Sequence, residues 1–295
     1  ELAENNKNIW LLTGDLGYSV LEDFADRFPE RFVNVGVAEQ NMVGVASGLA
    51  LCGKTVFIYS IANFPTLRCL EQIRNDICYH NLNVKIIAVG GGLTYGYQGY
   101  THHAVEDLAI MRALPNMTVI APADPVETKL ATKAIVAQSG PCFLRLGKAG
   151  EPLIHKIPPD FEIGKAILIR EGKDITFIST GGILKTVMNV ADYLSVKGIS
   201  SRILSMHTIK PLDIETILKA AKETKKIITV EEHSIYGGLG SSIAEVLAES
   251  GINGVRFLRV GLQNLICDIG SQEYLIEKNM LDFKGILLQV EKLFN

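Results

Sequence analysis

Short runs of β-branched residues alternate with helix-periodic segments along almost the whole chain, and this alternation constrains the fold more than any other feature of the sequence. The predicted strands are at residues 9–12, 32–36, 55–59, 84–89, 117–120, 142–146, 174–179, 201–204, 226–231 and 255–259. The predicted helices are at residues 21–28, 39–51, 66–79, 104–113, 125–138, 183–197, 213–222, 239–250 and 284–294. Strands rich in β-branched residues and separated by helices favour parallel sheets covered on both faces. The sequence therefore predicts an α/β fold of doubly wound, mostly parallel sheets.

A segment without clear periodicity divides this alternation into two series. Residues 147–164 carry three prolines and connect the strand at 142–146 to the next strand–helix series. The chain has 295 residues, which is long enough for two ordinary domains. We therefore expect a first domain over residues 1–150, a linker over 151–163 and a second domain over 164–295.

The charge and hydropathy of the chain exclude several classes of partner. The net charge is −3 and no basic tract is present, which argues against nucleic acid as a partner. The longest apolar stretch, residues 42–52, is interrupted by a serine and two glycines and is too short to span a bilayer, so no membrane association is expected. Hydrophobic residues nevertheless make up 47% of the chain, and this surplus favours a subunit interface. The five cysteines are odd in number and lack metal-type spacing, which indicates reduced thiols in a cytoplasmic protein.

One acid is set apart within the apolar segment at residues 32–49. Glu39 opens the predicted helix 39–51, and no Lys or Arg lies between Arg31 and Lys54. Such an acid either interacts with the dipole at the start of its helix or takes part in chemistry, and the local pattern leaves both interpretations open. In open parallel sheets, ligands bind beyond the carboxyl ends of the strands. The loops at those ends hold Asp15, Ser19, Glu39, Phe64, His102, His103 and Arg145.

A series of collinear motifs resembles a known family. The segment around Glu39 and the Thr101–Ala109 run THHAVEDLA resemble the pyrimidine-binding domain of transketolase. Between and after them the resemblance continues at residues 72–75, 82–86, 114–117, 121–124 and 143–147. Residues 231–240, EEHSIYGGLG, resemble the C-terminal domain of transketolase. The resemblance implies that the two predicted domains are these two domains of the family.

One family motif is missing from the chain. Transketolases bind the diphosphate of thiamine diphosphate and a divalent metal ion through a Gly-Asp-Gly segment that is followed by an Asn. This chain has no Gly-Asp-Gly, and its GDLG at residues 14–17 matches the opening of the pyrimidine-binding domain instead. The chain therefore resembles the second subunit of a split transketolase. This resemblance implies thiamine diphosphate as cofactor, with Mg²⁺ or Ca²⁺ held alongside the diphosphate by a partner subunit, and a dimer of heterodimers.

The resemblance assigns the central chemistry to three residues. Glu39 matches the glutamate that hydrogen-bonds the aminopyrimidine ring of the cofactor and so activates it. Phe64 matches the aromatic residue that stacks on the same ring, although its pattern alone would favour an ordinary core Phe. His102 matches the histidine that contacts the substrate near the bond broken or formed, where a neutral imidazole can relay protons.

Further positions match family residues around the substrate and the cofactor. Asp15 matches a first-loop residue near the thiazolium and the subunit contact, but Asp is also a common turn residue. Ser19 matches a phosphate ligand. Arg145 matches the arginine that holds the substrate phosphate, a role suited to its bidentate geometry, although it could equally pair with a surface acid. Two substrate-contacting positions depart from the family pattern: His103 replaces a common Gln, and Gln98 replaces an Asp that recognises a substrate hydroxyl.

The resemblance implies transfer of a two-carbon ketol unit from a ketose to an aldose acceptor, with sugars or sugar phosphates as substrates. Gly90 also stands where some family members have a phosphate-binding His, and the changes at Gln98 and Gly90 make an ordinary pentose-phosphate substrate less expected. Two rivals share the same two-domain plan: the β subunit of a 2-oxo-acid dehydrogenase, and deoxyxylulose-phosphate synthase. A third possibility is a non-catalytic assembly subunit that has kept the fold.

Overall fold

The structure, a computed structural model, describes residues 1–263 and 266–293 of the chain. The strands are β1 (Ile9–Thr13), β2 (Phe32–Asn34), β3 (Thr55–Ile61), β4 (Val84–Val89), β5 (Thr118–Ile120), β6 (Cys142–Leu146), β7 (Ile167–Arg170), β8 (Ile175–Thr180), β9 (Ser201–Ser205), β10 (Thr208–Lys210), β11 (Lys226–Ser234) and β12 (Arg256–Leu262). The α-helices are α1 (Leu2–Asn5), α2 (Glu22–Arg27), α3 (Glu39–Leu51), α4 (Leu70–Gln72), α5 (Asp107–Ala113), α6 (Pro125–Ala137), α7 (Leu184–Val196), α8 (Ile214–Thr224), α9 (Leu239–Glu249), α10 (Gln272–Lys278) and α11 (Phe283–Glu291). Short 3-10 turns lie at Pro29–Arg31 and Gly96–Gln98, and π-helical segments lie at Phe64–Arg68 and Ile73–Cys78.

The strands form two sheets with helices packed against them. The first sheet has the order β10-β5-β6-β4-β3-β1-β2, and every neighbouring pair from β5 to β2 is parallel. The second has the order β12-β11-β8-β9-β7, parallel except for the β7–β9 pair. This confirms the predicted pair of doubly wound, mostly parallel sheets. Because β1, β2, β3 and β4 run in one direction, the loops that follow them lie at one edge of the first sheet.

The structure contains two edge strands that the sequence analysis did not predict. Strand β7 is an edge strand of the second sheet. Strand β10 belongs to the second half of the chain but pairs antiparallel with β5, at the edge of the first sheet. Both are too short to carry a periodic signal. Helix α10 was also missed, and the helix predicted at 284–294 is observed as α11, with residue 294 lying outside the described residues.

The two halves of the chain share buried apolar contacts. Leu204, Met206 and Ile209 of the second half belong to the same buried cluster as Val119 and Phe143 of the first sheet. The division of the chain at residues 150–163 therefore stays a prediction about domain organisation, because the core itself is continuous across it.

The predicted helix at residues 66–79 is interrupted rather than regular. It begins as the π-helical segment Phe64–Arg68, continues through α4 and ends as a second π-helical segment. Pro65 has no N–H to donate at this start, and the Thr66 hydroxyl bonds back to the Ala62 carbonyl. Ile73 and Ile77 are fully buried in the core, whereas Leu67 is exposed.

Helix α3 is held firmly against the first sheet. Met42, Val43 and Ala46 on its inner face are fully buried and belong to the same apolar cluster as Val56 and Ile58 of β3. This packing fixes the N-terminus of α3, where Glu39 lies, relative to the loop after β3. Among the described residues, no helix combines the length and the apolar character that crossing a membrane requires.

Candidate active site

Glu39 is a buried acid that does not cap its own helix. Strand β2 is followed by a turn in which Gly36 has a φ of +72°, a conformation that favours glycine, and α3 then begins at Glu39. The Glu39 side chain is 3% exposed, and no side chain caps the start of α3. Its Oε1 accepts a hydrogen bond from the Ser60 hydroxyl at 3.4 Å, and its Oε2 accepts one from Arg68 Nη1 at 3.2 Å. The carboxylate therefore faces other side chains at the sheet edge.

Phe64 and Arg68 form a stacked pair beside this carboxylate. Phe64 is half-buried and begins the π-helical segment after β3, and Arg68 follows it by about one helical turn. The Arg68 Cζ atom lies 3.9 Å from the centroid of the Phe64 ring, within cation–π range. The same guanidinium donates to Glu39, while half of the Arg68 side chain stays exposed. A flat, N–H-donating cation thus contacts an aromatic face and a buried carboxylate at once.

His102 completes this group of side chains. Its ring packs edge-to-face on Phe64, with 5.1 Å between the ring centroids, and its Nδ1 lies 2.9 Å from the Thr101 hydroxyl. The Asn63 amide holds the His102 loop by donating to the carbonyls of Thr101 at 3.2 Å and His103 at 2.7 Å. Burial lowers the pKa of His102, and the charges of Arg68 and His103 lower it further. The imidazole is therefore neutral near neutral pH and can accept or donate a proton.

A depression of about 480 Å³ lies next to Glu39 and Arg68. Its walls are Val37, Ala38, Glu39, Gln40, Asn41 and Arg68. Gly14, at the end of β1, forms another boundary of the site: a Cβ there would lie 3.5 Å from the Glu39 Oε1 atom. Four connections of the first sheet therefore converge on one small region.

Three other predicted site residues lie in exposed loops of the first half of the chain. Asp15 has a φ of +60° and accepts a hydrogen bond from the Asn34 amide at 3.0 Å. Ser19 is exposed, and its backbone N–H donates to Glu22 at 2.7 Å. Gln98 is exposed at the end of a 3-10 turn. The contacts described for these residues do not join them to Glu39 or Phe64, so their roles stay predictions.

Arg145 and His103, both predicted to contact the substrate, have side chains that are directed into the protein. Arg145 is 6% exposed and its Nε donates to Asp107 at 2.9 Å. Its Nη2 donates to the carbonyls of Ala104 and Glu232, each at 2.9 Å, so the guanidinium joins the two halves of the chain. His103 is fully buried, with Nε2 3.2 Å from the Gly96 carbonyl oxygen. Both side chains therefore contact other parts of the protein, and their contact with a substrate stays a prediction.

Arg68, Ser60 and Asn63 were not predicted from the sequence as residues of the site. Arg68 had no clear signal, because the helix predicted at residues 66–79 does not include Phe64 and the contact of Arg68 with Glu39 spans 29 residues. Ser60 and Asn63 had no signal either. Their roles depend on contacts with Glu39 and with the loop at residues 101–103, which are distant in sequence.

Residues 1–150 match the pyrimidine-binding domain family of transketolase, and residues 164–286 match the transketolase C-terminal domain family. The chain therefore belongs to the transketolase family, as its motifs predicted. It is 42% identical over 293 residues to a protein of Methanocaldococcus jannaschii described as a putative transketolase C-terminal section, with 98% of this chain and 92% of that protein covered.

Two further similarities concern transketolases built from more than one chain. The chain is 40% identical over 289 residues to a subunit of the apulose-4-phosphate transketolase of Phocaeicola vulgatus, covering 97% of this chain and 91% of that protein. It is also similar to a solved structure described as a split gene transketolase, inactive beta4 tetramer. That match has a TM-score of 0.89 at 40% identity and covers 99% of this chain and 93% of the other.

Proposed function

We propose that this chain is the cofactor-activating subunit of a two-chain transketolase. With thiamine diphosphate and a diphosphate-binding partner subunit, it would transfer a two-carbon ketol unit from a ketose to an aldose acceptor. The observation that carries this proposal is that the buried Glu39 carboxylate and the Phe64 ring lie close enough together to contact the same guanidinium, that of Arg68. The similarity to transketolase subunits, one of them from a split gene, supports it.

The chemistry of this pair is suited to the aminopyrimidine ring of the cofactor. That ring is flat and presents N–H donors and ring nitrogens, so it needs an aromatic face and a carboxylic group placed together. The Arg68 guanidinium, which is also flat and donates N–H groups, already contacts both Phe64 and Glu39. A group of this shape can therefore be accommodated by the two side chains.

The diphosphate end of the cofactor is assigned to the partner subunit. The sequence has no Gly-Asp-Gly segment, and the described residues contain no group of three or more His, Cys, Asp or Glu side chains that could hold a metal ion. We therefore propose that the partner binds the diphosphate together with Mg²⁺ or Ca²⁺.

The residues at the site then have defined tasks. When bound, thiamine diphosphate supplies the electron sink that carbon–carbon bond cleavage requires. Glu39 would hydrogen-bond the pyrimidine ring, and Phe64 would fix the plane of that ring. His102, as a neutral imidazole, would hold or move a proton at a substrate hydroxyl or carbonyl. Asp15 is proposed to line the cofactor, and Ser19 and Gln98 to contact the sugar or sugar phosphate.

The outer face of α3 supports assembly with another subunit. It exposes Gly44, Val45, Gly48 and Leu51, with Leu51 66% exposed, and a Cβ at either glycine would meet open space. Small residues in such a stripe let a second helix approach closely, and exposed apolar patches mark interaction surfaces. Val37, next to the site, is 76% exposed. We propose a dimer of heterodimers in the cytoplasm, where the free cysteines would stay reduced.

The test of this function is the substitution Glu39→Gln in the complex with a diphosphate-binding subunit. We expect ketol transfer to fall by at least about 100-fold, because an amide cannot share the proton that the pyrimidine ring requires. The matched control is Glu71→Gln, which changes an exposed glutamate near the same edge and should leave turnover unchanged. Wild-type turnover in the Glu39→Gln complex would contradict the proposal.

Two further measurements on the complex separate the rival functions. Pyruvate decarboxylation without ketose cleavage would favour a 2-oxo-acid dehydrogenase subunit or a deoxyxylulose-phosphate synthase. Failure of the complex to bind thiamine diphosphate, measured by quenching of protein fluorescence, would favour a non-catalytic assembly subunit.

A further inference from the structure

Arg68 makes both of the contacts that the proposed function assigns to the pyrimidine ring. Its guanidinium stacks on Phe64 at 3.9 Å and donates to the Glu39 carboxylate at 3.2 Å. We propose that Arg68 is an internal competitor for this pocket, whose guanidinium must be displaced before a flat heterocycle can bind. This inference rests on the proposed function, and it adds a residue that sets the affinity of the pocket.

The competition follows from the space available at the Phe64 ring. A guanidinium carbon 3.9 Å from the ring centroid is in van der Waals contact with the aromatic face. A heterocycle stacked on that face would need the same separation and so the same position. The hydrogen bond to Glu39 Oε2 must also be given up if that oxygen is to bind an incoming ring. Arg68 and the ligand therefore exclude one another at both contacts.

The surroundings of Arg68 allow its side chain to move while its backbone stays in place. The side chain is 50% exposed and borders the depression of about 480 Å³ beside Glu39, so the guanidinium can leave Phe64 for open space. The Arg68 carbonyl accepts a hydrogen bond from the Gln40 amide at 2.9 Å, which ties the backbone to the first turn of α3. Displacement thus requires rotation of one side chain and no rearrangement of the fold.

This arrangement has two consequences for recognition. While Arg68 is in place, the buried Glu39 carboxylate keeps a charged partner, which avoids the cost of leaving a buried charge unpaired. A ligand must then replace both a stacking contact and a hydrogen bond to the carboxylate. A flat nitrogen heterocycle can do so, whereas a saturated ring or a lone cation cannot. The cost of displacing Arg68 is the same for every ligand that takes its place, so Arg68 lowers the affinity of the pocket, and only a ligand that makes both contacts recovers that cost.

The experiment measures binding of 4-amino-5-hydroxymethyl-2-methylpyrimidine to the full chain by isothermal titration calorimetry. Arg68→Ala should bind this probe on the order of 10-fold more tightly than the wild type, because it removes one cation–π contact and one half-exposed ion pair that the probe must displace. Arg68→Lys, which keeps the charge and loses the flat guanidinium, should lie between them. Arg74→Ala is the matched control, because Arg74 is exposed and bonds to Asn75 instead.

The outcomes distinguish this inference from the proposed function. Equal or weaker binding by Arg68→Ala, with binding lost in Glu39→Gln, would overturn the competition and leave the pocket assignment intact. Binding that is unaffected by Glu39→Gln, or that is undetectable in every variant, would overturn the pocket assignment and the competition with it. Circular dichroism and the melting temperature of each variant establish that it is folded.

Discussion

The surroundings of His102 determine the pKa of its imidazole. Burial is the largest contribution to its lowered pKa, and the positive charge of Arg68 acts in the same direction. A lower pKa keeps the ring uncharged at neutral pH, as a group that must both accept and donate a proton requires. The edge-to-face contact with Phe64 fixes the ring beside the proposed pyrimidine position. The local environment of His102 is therefore consistent with proton relay.

We predict that His102→Asn lowers the turnover of the reconstituted complex by about 100-fold, since an amide cannot relay a proton. Binding of thiamine diphosphate should be unchanged, because His102 is proposed to act on the substrate. Steady-state kinetics and a cofactor titration check the two parts separately. His80→Asn, at an exposed histidine, is the control. Loss of cofactor affinity with intact turnover would contradict the assignment.

At the scale of elements, Asp124 at the start of α6 links that helix to the segment between the two halves of the chain. Asp124 Oδ1 accepts the N–H of Glu127 at 2.8 Å and so caps α6. Its Oδ2 accepts the N–H groups of Ile154 at 2.9 Å and His155 at 2.8 Å. Burial alone would raise the pKa of Asp124, but these N–H groups and the His155 ring outweigh it and hold the pKa below its ordinary value. One carboxylate therefore orders both a helix and a connection.

We predict that Asp124→Ala lowers the free energy of unfolding by about 2–4 kcal/mol, because it removes a cap and the partner of two further, half-buried N–H groups. Asp282→Ala is the control: Asp282 caps α11 through one bond to the Gly285 N–H at 2.9 Å and should cost about 1 kcal/mol. Urea unfolding measures both. Because the pKa of Asp124 is depressed in the folded state, the difference from wild type should be complete at neutral pH and shrink as pH falls through that pKa. Equal costs for the two variants would show that the bonds to residues 154 and 155 contribute nothing.

At the scale of the whole molecule, buried polar groups join the two halves of the chain. Arg145 bridges Asp107 of α5 and the Glu232 carbonyl of β11. His207, just before β10, stacks on Phe161 with 4.0 Å between the ring centroids, and its carbonyl accepts the Ala121 N–H at 2.7 Å. Burial lowers the pKa of His207 to about 4, with the nearby His155 lowering it further and Asp213 opposing. The junction between the halves therefore contains a histidine that resists protonation.

This histidine makes the stability of the molecule sensitive to acid. The unfolded chain takes up the proton near the ordinary pKa of 6.5, and the folded chain does so only at about 4, so acid favours unfolding between those values. We predict that His207 contributes about 3 kcal/mol to the loss of stability over that range and that His207→Gln removes this contribution. Urea unfolding at a series of pH values measures it. The control variant His80→Gln changes an exposed histidine, and its free energy of unfolding should depend on pH as in the wild type. The same pH dependence in His207→Gln would refute the prediction.

The sequence by itself determined the two doubly wound sheets, the order of most elements and the loops that carry Glu39, Phe64 and His102. These features follow from local periodicity and from the rule that parallel strands end at one edge, so they need no long-range information. The start of α3 at Glu39 was predicted correctly for this reason. The irregular turn at Phe64–Arg68 was not predicted. The Thr66 hydroxyl bonds to the Ala62 carbonyl and Pro65 has no N–H, and these interruptions of regular helical bonding leave no signal in the hydrophobic periodicity.

Only the tertiary structure decided where the side chains at those loops point. Arg145 and His103 were predicted to contact the substrate, yet their observed partners Asp107, Ala104, Glu232 and Gly96 hold them inward. Whether a charged side chain pairs internally or faces a ligand depends on which residues surround it in the fold. Local sequence patterns do not reveal those neighbours when they are distant in sequence. The same reason applies to Arg68, whose contact with Glu39 spans 29 residues and places a competitor in the proposed cofactor pocket.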